Sequence, residues 1–167
     1  DSFLNHQIDP QLMKQIGKEF VERFKGQEVT KILTIETSGI VVASMVGLEL
    51  DVPVLFARKD KPVTMNQKSY VSKVKSFTKN KVYNISVAAE YLQEDDQVLI
   101  IDDFLAMGQA AQGLLEITEQ SGAEAVGVGV VIEKGFQPGG SRLRSQGVQV
   151  ESLAIIDNLE KNQVTFA

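Results

Sequence analysis

VLIIDDFLAMGQAA, residues 98–111, joins a short apolar run to two acids and a turn of small residues. The four apolar residues 98–101 favour a strand that is buried on both faces of a parallel sheet. Asp102 and Asp103 would then leave the carboxyl end of this strand, where open α/β sheets bind their ligands. The turn that follows carries Gly108 and leads into a predicted helix, whose first N–H groups can hold an anion. This edge is a candidate site for a phosphorylated sugar; the alternative is that the two aspartates are only solvated residues at a strand end.

Strands and helices alternate along most of the chain. Further strands are predicted at residues 31–36, 52–57, 125–132, 148–156 and 163–166, and helices begin at Pro10, Ile40, Gln109 and Ser141. This order indicates an α/β fold, a single domain over residues 1–167 with a mainly parallel central sheet flanked by helices. At 167 residues the chain is long enough to bury one core without disulfides.

A lysine-rich segment interrupts this alternation at about residues 61–80. From Arg58 to Lys81 the sequence has eight lysine and arginine residues against one acid, Asp60, although the whole chain has a net charge of −5. Alternating polar and apolar residues in its second half predict a flexible antiparallel hairpin, with residues 82–88 as the returning strand. Long inserted loops are often lids, and this one has the charge to close over phosphates. The alternative is a solvated surface without a ligand.

The composition and the first ten residues argue against a disulfide-bonded, membrane-spanning or secreted protein. The chain has no cysteine, which excludes disulfides and thiolate metal sites and favours a reducing compartment. No stretch approaches the roughly 20 apolar residues that span a bilayer, and the opening segment DSFLNHQIDP lacks the regions of a signal peptide. We therefore expect a cytoplasmic protein. Because residue 1 is Asp rather than Met, we also expect that an amino-terminal segment is missing.

Several common catalytic motifs do not occur in the sequence. It has no Walker-type glycine loop, no nucleophile elbow and one histidine, His6, so the signatures of P-loop kinases, α/β-hydrolases and zinc enzymes are excluded. An acidic chain also disfavours a general nucleic-acid binder. What remains is a pair of turns, residues 37–39 and 106–110, that each precede a predicted helix. Both could hold an anion at the positive end of a helix dipole.

Residues 98–111 resemble the 5-phosphoribosyl 1-diphosphate motif of the type I phosphoribosyltransferases, in which an apolar run, two acids and a small-residue loop bind ribose 5-phosphate. Residues 36–40, ETSGI, are similar to the diphosphate loop of the adenine-type branch. The segments SFLNHQIDP, FARK, IDDFLA, GQAA and IEKGFQPG are similar to the bacterial xanthine branch, so the resemblance covers nearly the whole chain. Met107 departs from the pattern, because many members have a small hydroxyl residue there.

The resemblance implies a purine salvage enzyme, a pentosyltransferase that transfers ribose 5-phosphate to a purine, with xanthine as the expected base. Guanine or hypoxanthine is the alternative base. A non-catalytic purine regulator that senses the same diphosphate sugar is the alternative from another class. The implied fold adds a small hood, formed by residues 1–9 and about 133–167, to the type I sheet.

The expected site residues are carried over from the matching motifs. Asp102 and Asp103 are expected to hold the ribose hydroxyls and to stabilise positive charge on the sugar. Contacts to the diphosphate sugar are expected from Thr37, Ser38, Gly39, Arg58, Lys59, Ala106, Met107, Gly108, Gln109 and Ala110. Contacts to the purine are expected from Asn5, Phe104, Lys134 and Phe136. Core packing is the alternative for the two phenylalanines.

The resemblance also implies a cofactor and partners. Mg²⁺ is expected to bind mainly through diphosphate and ribose oxygens, so no residue is assigned as a metal ligand. Lys134 is expected near the 6-oxo oxygen of the base, which would disfavour adenine because adenine carries an amino group at that position. The expected partners are the small-molecule substrates and a second copy of the chain in a homodimer, with no nucleic acid and no membrane.

Overall fold

A computed structural model describes residues 6–59, 68–76, 81–160 and 163–167. The strands are β1 (Lys31–Ile35), β2 (Val54–Lys59), β3 (Ser69–Ser76), β4 (Lys81–Ala88), β5 (Gln97–Leu105), β6 (Glu124–Lys134), β7 (Val150–Glu160) and β8 (Gln163–Phe166). The α-helices are α1 (Pro10–Arg23), α2 (Gly39–Leu50), α3 (Gln109–Ser121) and α4 (Gly139–Ser145). A single 3-10 turn, Ala89–Tyr91, follows β4.

The strands form one sheet in the order β3-β4-β2-β1-β5-β6-β7-β8. Its centre is parallel, since β1 pairs in parallel with β2 and β5, and β6 pairs in parallel with β5 and β7. The outer pairs β2–β4, β3–β4 and β7–β8 are antiparallel. The predicted α/β fold with a mainly parallel central sheet is therefore confirmed.

Strand β5 lies in the middle of the sheet, and helices cover both of its faces. Leu99 and Ile101 belong to the core cluster that α1 and α2 form on one face, while Val98 and Ile100 belong to the cluster with α3 on the other. All four side chains are 0% exposed. An apolar run without alternation is what a strand covered on both faces requires, so the interpretation of residues 98–101 is correct.

Local capping explains where the first helix begins. Asp9 Oδ1 accepts hydrogen bonds from the backbone N–H groups of Gln11, at 2.9 Å, and Leu12, at 3.2 Å. Pro10 occupies the first helical position, where its missing N–H costs nothing. Met13 and Phe20 then recur on the buried face of the helix.

Several predicted boundaries were wrong, including those of β7, which covers Val150–Glu160 rather than residues 148–156. Strand β2 covers Val54–Lys59 rather than residues 52–57, because its pairing with β1 ends at Ala57 but Arg58 and Lys59 pair with β4. Strand β5 continues through the two aspartates to Leu105. Helix α4 begins at Gly139, two residues before the predicted cap at Ser141, because its first residue packs against the loop that precedes α3.

The predicted hairpin is confirmed where the structure describes it. Strands β3 and β4 pair antiparallel over their whole length, with Val74 opposite Tyr83. Ser72 and Val74 face α3 and are 4% and 2% exposed, and Ser72 Oγ donates to Glu116 at 2.6 Å. Residues 61–67 and 77–80, which belong to the predicted lid, lie outside the described residues.

Candidate active site

The carboxyl ends of β1, β2, β5 and β6 meet at one edge of the sheet, as their parallel pairing requires. A cavity of about 520 Å³ opens there between the end of β5, the start of α3, the hairpin and the end of β6. A smaller cavity of about 170 Å³ lies beside it, at the turn between β1 and α2. Tyr83, Asp103 and Ala110 line both cavities, so one extended ligand can reach from one into the other.

The two aspartates of β5 differ in their surroundings. Asp102 is 5% exposed and lines the smaller cavity, whereas Asp103 is partly exposed and lines both. Asp102 Oδ1 accepts the N–H of Asp103 at 2.9 Å, and Asp103 Oδ1 accepts the N–H of Phe104 at 2.9 Å. Burial, and then the nearby charge of Asp103, raise the pKa of Asp102 well above its usual value. The carboxyl group of Asp102 therefore releases its proton less readily than an exposed carboxyl group does.

The predicted phosphate loop, residues 106–110, connects β5 to α3 along the wall of the larger cavity. Gly108 has φ 77°, a left-handed conformation that glycine adopts at little cost, and it stands at the position before the first residue of α3. No side chain of the described residues caps this helix start. The N–H groups of the first turn therefore have no side-chain partner among the described residues, which suits the predicted anion site.

The second predicted anion turn, residues 37–39, forms the wall of the smaller cavity at the start of α2. Its helix also begins without a side-chain cap from the described residues. A Cβ atom on Gly39 would lie 2.7 Å from Asp102 Oδ1, so the turn packs directly on the buried acid. Glu36 accepts the backbone N–H of Lys59, which ties the turn to the end of β2. The Glu36–Thr37 peptide bond is cis.

Lys59 and Tyr83 supply a cation and a phenol to the smaller cavity. The Lys59 ammonium nitrogen lies 5.8 Å from the centre of the Tyr83 ring, within the range of a cation–π contact. Partial burial, and then the charge of Asp102, raise the pKa of Tyr83, so its hydroxyl stays a hydrogen-bond donor at neutral pH. Tyr83 was not singled out from the sequence; its alternation with Ile85 on the returning strand was the available signal.

Arg58 does not join this group. It lines a separate groove with Phe56 and Tyr91, because successive residues of a strand point to opposite faces and Lys59 takes the face of the smaller cavity. The assignment of Arg58 as a contact to the diphosphate stays a prediction.

Only some of the residues predicted to contact the purine line the larger cavity. Lys134, at the end of β6, and Phe104, on β5, line the same cavity as the phosphate loop. Gln137 lines it as well and was missed, although it lies in the predicted loop after β6. Phe136 is 48% exposed and is not part of the lining. Asn5 lies outside the described residues.

Neither a protein metal cage nor a membrane-spanning helix is found in the described part of the chain. Among these residues, no three histidine, cysteine, aspartate or glutamate side chains are close enough to hold a metal ion together. None of the helices there is both long and apolar enough to cross a bilayer. The carboxylates at the site edge are therefore a pair rather than a cage.

In comparisons with known proteins, the matching family model and the similar sequences are phosphoribosyltransferases. The family model described as phosphoribosyl transferase domain matches residues 2–163. A xanthine phosphoribosyltransferase from Oceanobacillus iheyensis is 58% identical over 166 residues, which cover 99% of this chain and 86% of that protein. A xanthine phosphoribosyltransferase from Bacillus cereus is also 58% identical, over 99% of this chain and 84% of that protein.

Solved structures agree on the fold. Adenine phosphoribosyltransferase from Giardia lamblia, complexed with 9-deazaadenine, matches with a TM-score of 0.79 and 22% identity, over 90% of this chain and 82% of that one. The adenine phosphoribosyltransferase from Rhodothermus marinus matches with a TM-score of 0.77 and 26% identity, over 89% and 81%. At such low identity the Giardia structure supports the architecture only.

Proposed function

The chain belongs to the phosphoribosyltransferase family, and we propose that it transfers ribose 5-phosphate from 5-phosphoribosyl 1-diphosphate to xanthine. The products are xanthosine 5′-monophosphate and diphosphate, which makes the protein a glycosyltransferase of purine salvage. One observation carries the proposal: the phosphate loop and Lys134 line a single cavity. A sugar phosphate and a base can therefore be held together there.

The two cavities accommodate the two ends of the diphosphate sugar. The 5-phosphate would bind the N–H groups of residues 106–110, where α3 starts without a side-chain cap. The diphosphate would bind the turn 37–39 and Lys59 in the smaller cavity. Asp103 lies between them and lines both cavities, which suits a contact to the ribose hydroxyls.

The chain's own groups act by position and charge. When the bond from the anomeric carbon to the diphosphate breaks, positive charge develops on the sugar ring, and the carboxylates of Asp102 and Asp103 stabilise it. Holding base and sugar in one cavity makes the attack of the ring nitrogen effectively intramolecular. No covalent enzyme intermediate is required, and the described lining holds no cysteine, serine or histidine nucleophile beyond Ser38.

Mg²⁺ fits the chemistry of this edge. Asp102 and Asp103 offer oxygen ligands, the type that Mg²⁺ prefers, and the described residues form no competing protein cage. When bound, mainly through diphosphate and ribose oxygens, the metal supplies positive charge to the leaving diphosphate.

Base selection depends on the end of β6. The Lys134 ammonium group can donate to the 6-oxo oxygen of xanthine, guanine or hypoxanthine, whereas adenine would place an amino donor against it. Phe104 lines the cavity and offers a ring on which the purine can stack. We keep Asn5 and Phe136 in the proposal as contacts from the hood, residues 1–9 and about 133–167.

We include a homodimer and a cytoplasmic location in the proposal. The groove that contains Phe56, 42% exposed, and Tyr91, 56% exposed, gives a second copy an apolar surface. Arg58 lines the same groove. In the proposed dimer, it would therefore contact a diphosphate from the surface that meets the second copy.

The direct experiment is to mix the protein with the diphosphate sugar, Mg²⁺ and one purine at a time and to follow nucleotide formation by chromatography. We expect kcat/KM for xanthine to exceed that for adenine by about 1,000-fold or more, because a donor facing a donor leaves polar groups unpaired. Guanine and hypoxanthine are expected to fall between them. Turnover with adenine alone would contradict the base assignment; binding of the sugar without turnover on any purine, with tight DNA binding, would favour a regulator.

The lid is tested by hydrogen exchange. We expect peptides from residues 61–80 to exchange more slowly when the diphosphate sugar is bound, because their lysines close over its phosphates. Residues 85–88, which are buried in β4, serve as the internal control and are expected to exchange slowly in both states. Equal protection of residues 61–80 with and without ligand would contradict a lid.

A further inference from the structure

Helix α4 lies directly behind the phosphate loop, and the two touch backbone to backbone. The Gly139 N–H donates to the Ala106 carbonyl oxygen at 3.0 Å. A Cβ atom on Gly139 would collide with that oxygen and would lie 2.6 Å from the Gly108 nitrogen. From the other side, a Cβ on Gly108 would lie 3.0 Å from Gly139 Cα. The position of Gly139 therefore sets how far back the loop can move.

An ion pair between a buried glutamate and an arginine that is 40% exposed holds this helix on the sheet. Glu133, on β6, is 4% exposed, and Arg144 of α4 donates to both of its oxygens, at 2.9 and 2.8 Å. Ser152 Oγ, on β7, donates to the same carboxylate at 2.5 Å. These contacts lower the pKa of Glu133, hydrogen bonding by Arg144 first. The carboxylate is thus ionised and fully paired at neutral pH.

The ion pair and the loop contact are adjacent in α4. A Cβ atom on Gly140 would collide with Glu133 and would lie 2.6 Å from Arg144 Nη1. Gly139, the preceding residue, is the one that touches the phosphate loop. A displacement of the ion pair would therefore displace the loop as well, through the close-packed backbone of Gly139 and Gly140.

We propose that the Glu133–Arg144 ion pair positions the phosphate loop through Gly139, so that these three residues are positioning residues for sugar-phosphate binding. The inference rests on the proposed function of the loop. A seven-residue helix has too few internal hydrogen bonds to fix its own place. A two-pronged pair between Arg and a carboxylate has a fixed geometry, which a lysine in place of Arg144 cannot reproduce.

The test compares Arg144→Lys with Arg142→Lys, the same change on the same helix at an exposed residue. Arg144→Lys is expected to weaken binding of ribose 5-phosphate, measured by calorimetry, about tenfold and to raise the KM for the diphosphate sugar similarly, because small displacements of a binding loop are costly. The KM for xanthine is expected to stay within about twofold, since Lys134 points to the face opposite Glu133. Arg142→Lys is expected to match the wild type.

Gly139→Ala tests the same path without touching the ion pair. It is expected to weaken ribose 5-phosphate binding as well, and the double variant Gly139→Ala/Arg144→Lys is expected to bind no more weakly than the poorer single variant, because both act at one contact. Melting temperatures identify any variant that fails to fold. If Arg144→Lys fails to fold, Gly139→Ala decides, and if Gly139→Ala fails to fold, Arg144→Lys decides.

The outcomes separate this inference from the proposed function. If the wild type forms xanthosine 5′-monophosphate while Arg144→Lys and Gly139→Ala bind ribose 5-phosphate as the wild type does, the positioning role is overturned. If the variants lose ribose 5-phosphate binding but the wild type turns over no purine, the positioning role stands and the proposed reaction fails.

Discussion

Replacing Asp103 by Asn is expected to lower kcat with xanthine by about 100-fold, because an amide cannot stabilise positive charge on the sugar as a carboxylate does. Asn has the same shape, and its side-chain oxygen can still accept the Phe104 N–H that Asp103 accepts now. The KM for the diphosphate sugar is expected to change less than kcat, since the lost interaction is strongest in the transition state. Steady-state kinetics at saturating Mg²⁺ measures both.

Asp102→Asn is expected to lower kcat too, but also to stabilise the protein. The folded-state pKa of Asp102 is raised, chiefly by burial. Stability from such a group is complete below the unfolded-state pKa and is lost as the pH rises through the folded-state pKa. Above the unfolded-state pKa, burial of Asp102 therefore costs free energy, either to bind a proton or to bury the charge, and Asn removes this cost. The melting temperature of Asp102→Asn is expected to exceed that of the wild type at neutral pH and to approach it in acid.

Asp51→Asn is the matched control, because Asp51 is exposed at the far end of α2 and its left-handed φ of 56° suits Asn. It is expected to leave kcat unchanged. Full activity in both Asp102→Asn and Asp103→Asn would show that the central assignment is wrong. A lower melting temperature for Asp102→Asn at neutral pH would contradict the buried-charge argument.

The sequence predicts best those elements whose order of polar and apolar residues follows directly from which side chains are buried. Residues 98–101 have no polar side chain because helices cover both faces of β5. Buried and exposed residues alternate along the first strand of the hairpin. Ser72 and Val74 face α3 and are buried, whereas Lys73 and Lys75 point to the opposite side and are exposed. A phosphate loop is predicted at residues 106–110 because an apolar strand, two acids and a glycine turn follow one another without interruption.

The features that were missed depend on contacts between distant residues. The start of α4 is set by the phosphate loop, about thirty residues earlier in the chain, and the local pattern around Ser141 does not contain that information. The separation of Arg58 from Lys59 follows from the pairing of β2 with β4, which continues the strand through both residues so that they point to opposite faces. Tyr83 enters the site only because the hairpin folds over the end of β5, which the order of elements alone does not specify.

Lys134→Met is expected to lower kcat/KM for xanthine by about 100-fold, which corresponds to the loss of roughly 3 kcal/mol from one charged hydrogen bond. Methionine keeps much of the length and apolar character of the side chain but cannot donate to the 6-oxo oxygen. Adenine gains nothing from Lys134, so its kcat/KM is expected to change little and the preference for xanthine to shrink by the same factor. Competition between the two bases in one reaction mixture measures the ratio directly.

Lys75→Met separates a base contact from a general effect of positive charge, because Lys75 lines the same cavity from the hairpin side. This variant is expected to affect the KM for the diphosphate sugar and to leave the ratio of xanthine to adenine turnover unchanged, since a charge on the lid meets phosphates rather than the base. If Lys75→Met reduced that ratio as much as Lys134→Met, the cavity's net charge would select the purine. If only Lys134→Met reduces the ratio, the side chain at the end of β6 recognises the 6-oxo group of the base. The aspartates of β5 and the phosphate loop that follows them then act on the sugar, which is common to the reactions of all the purines.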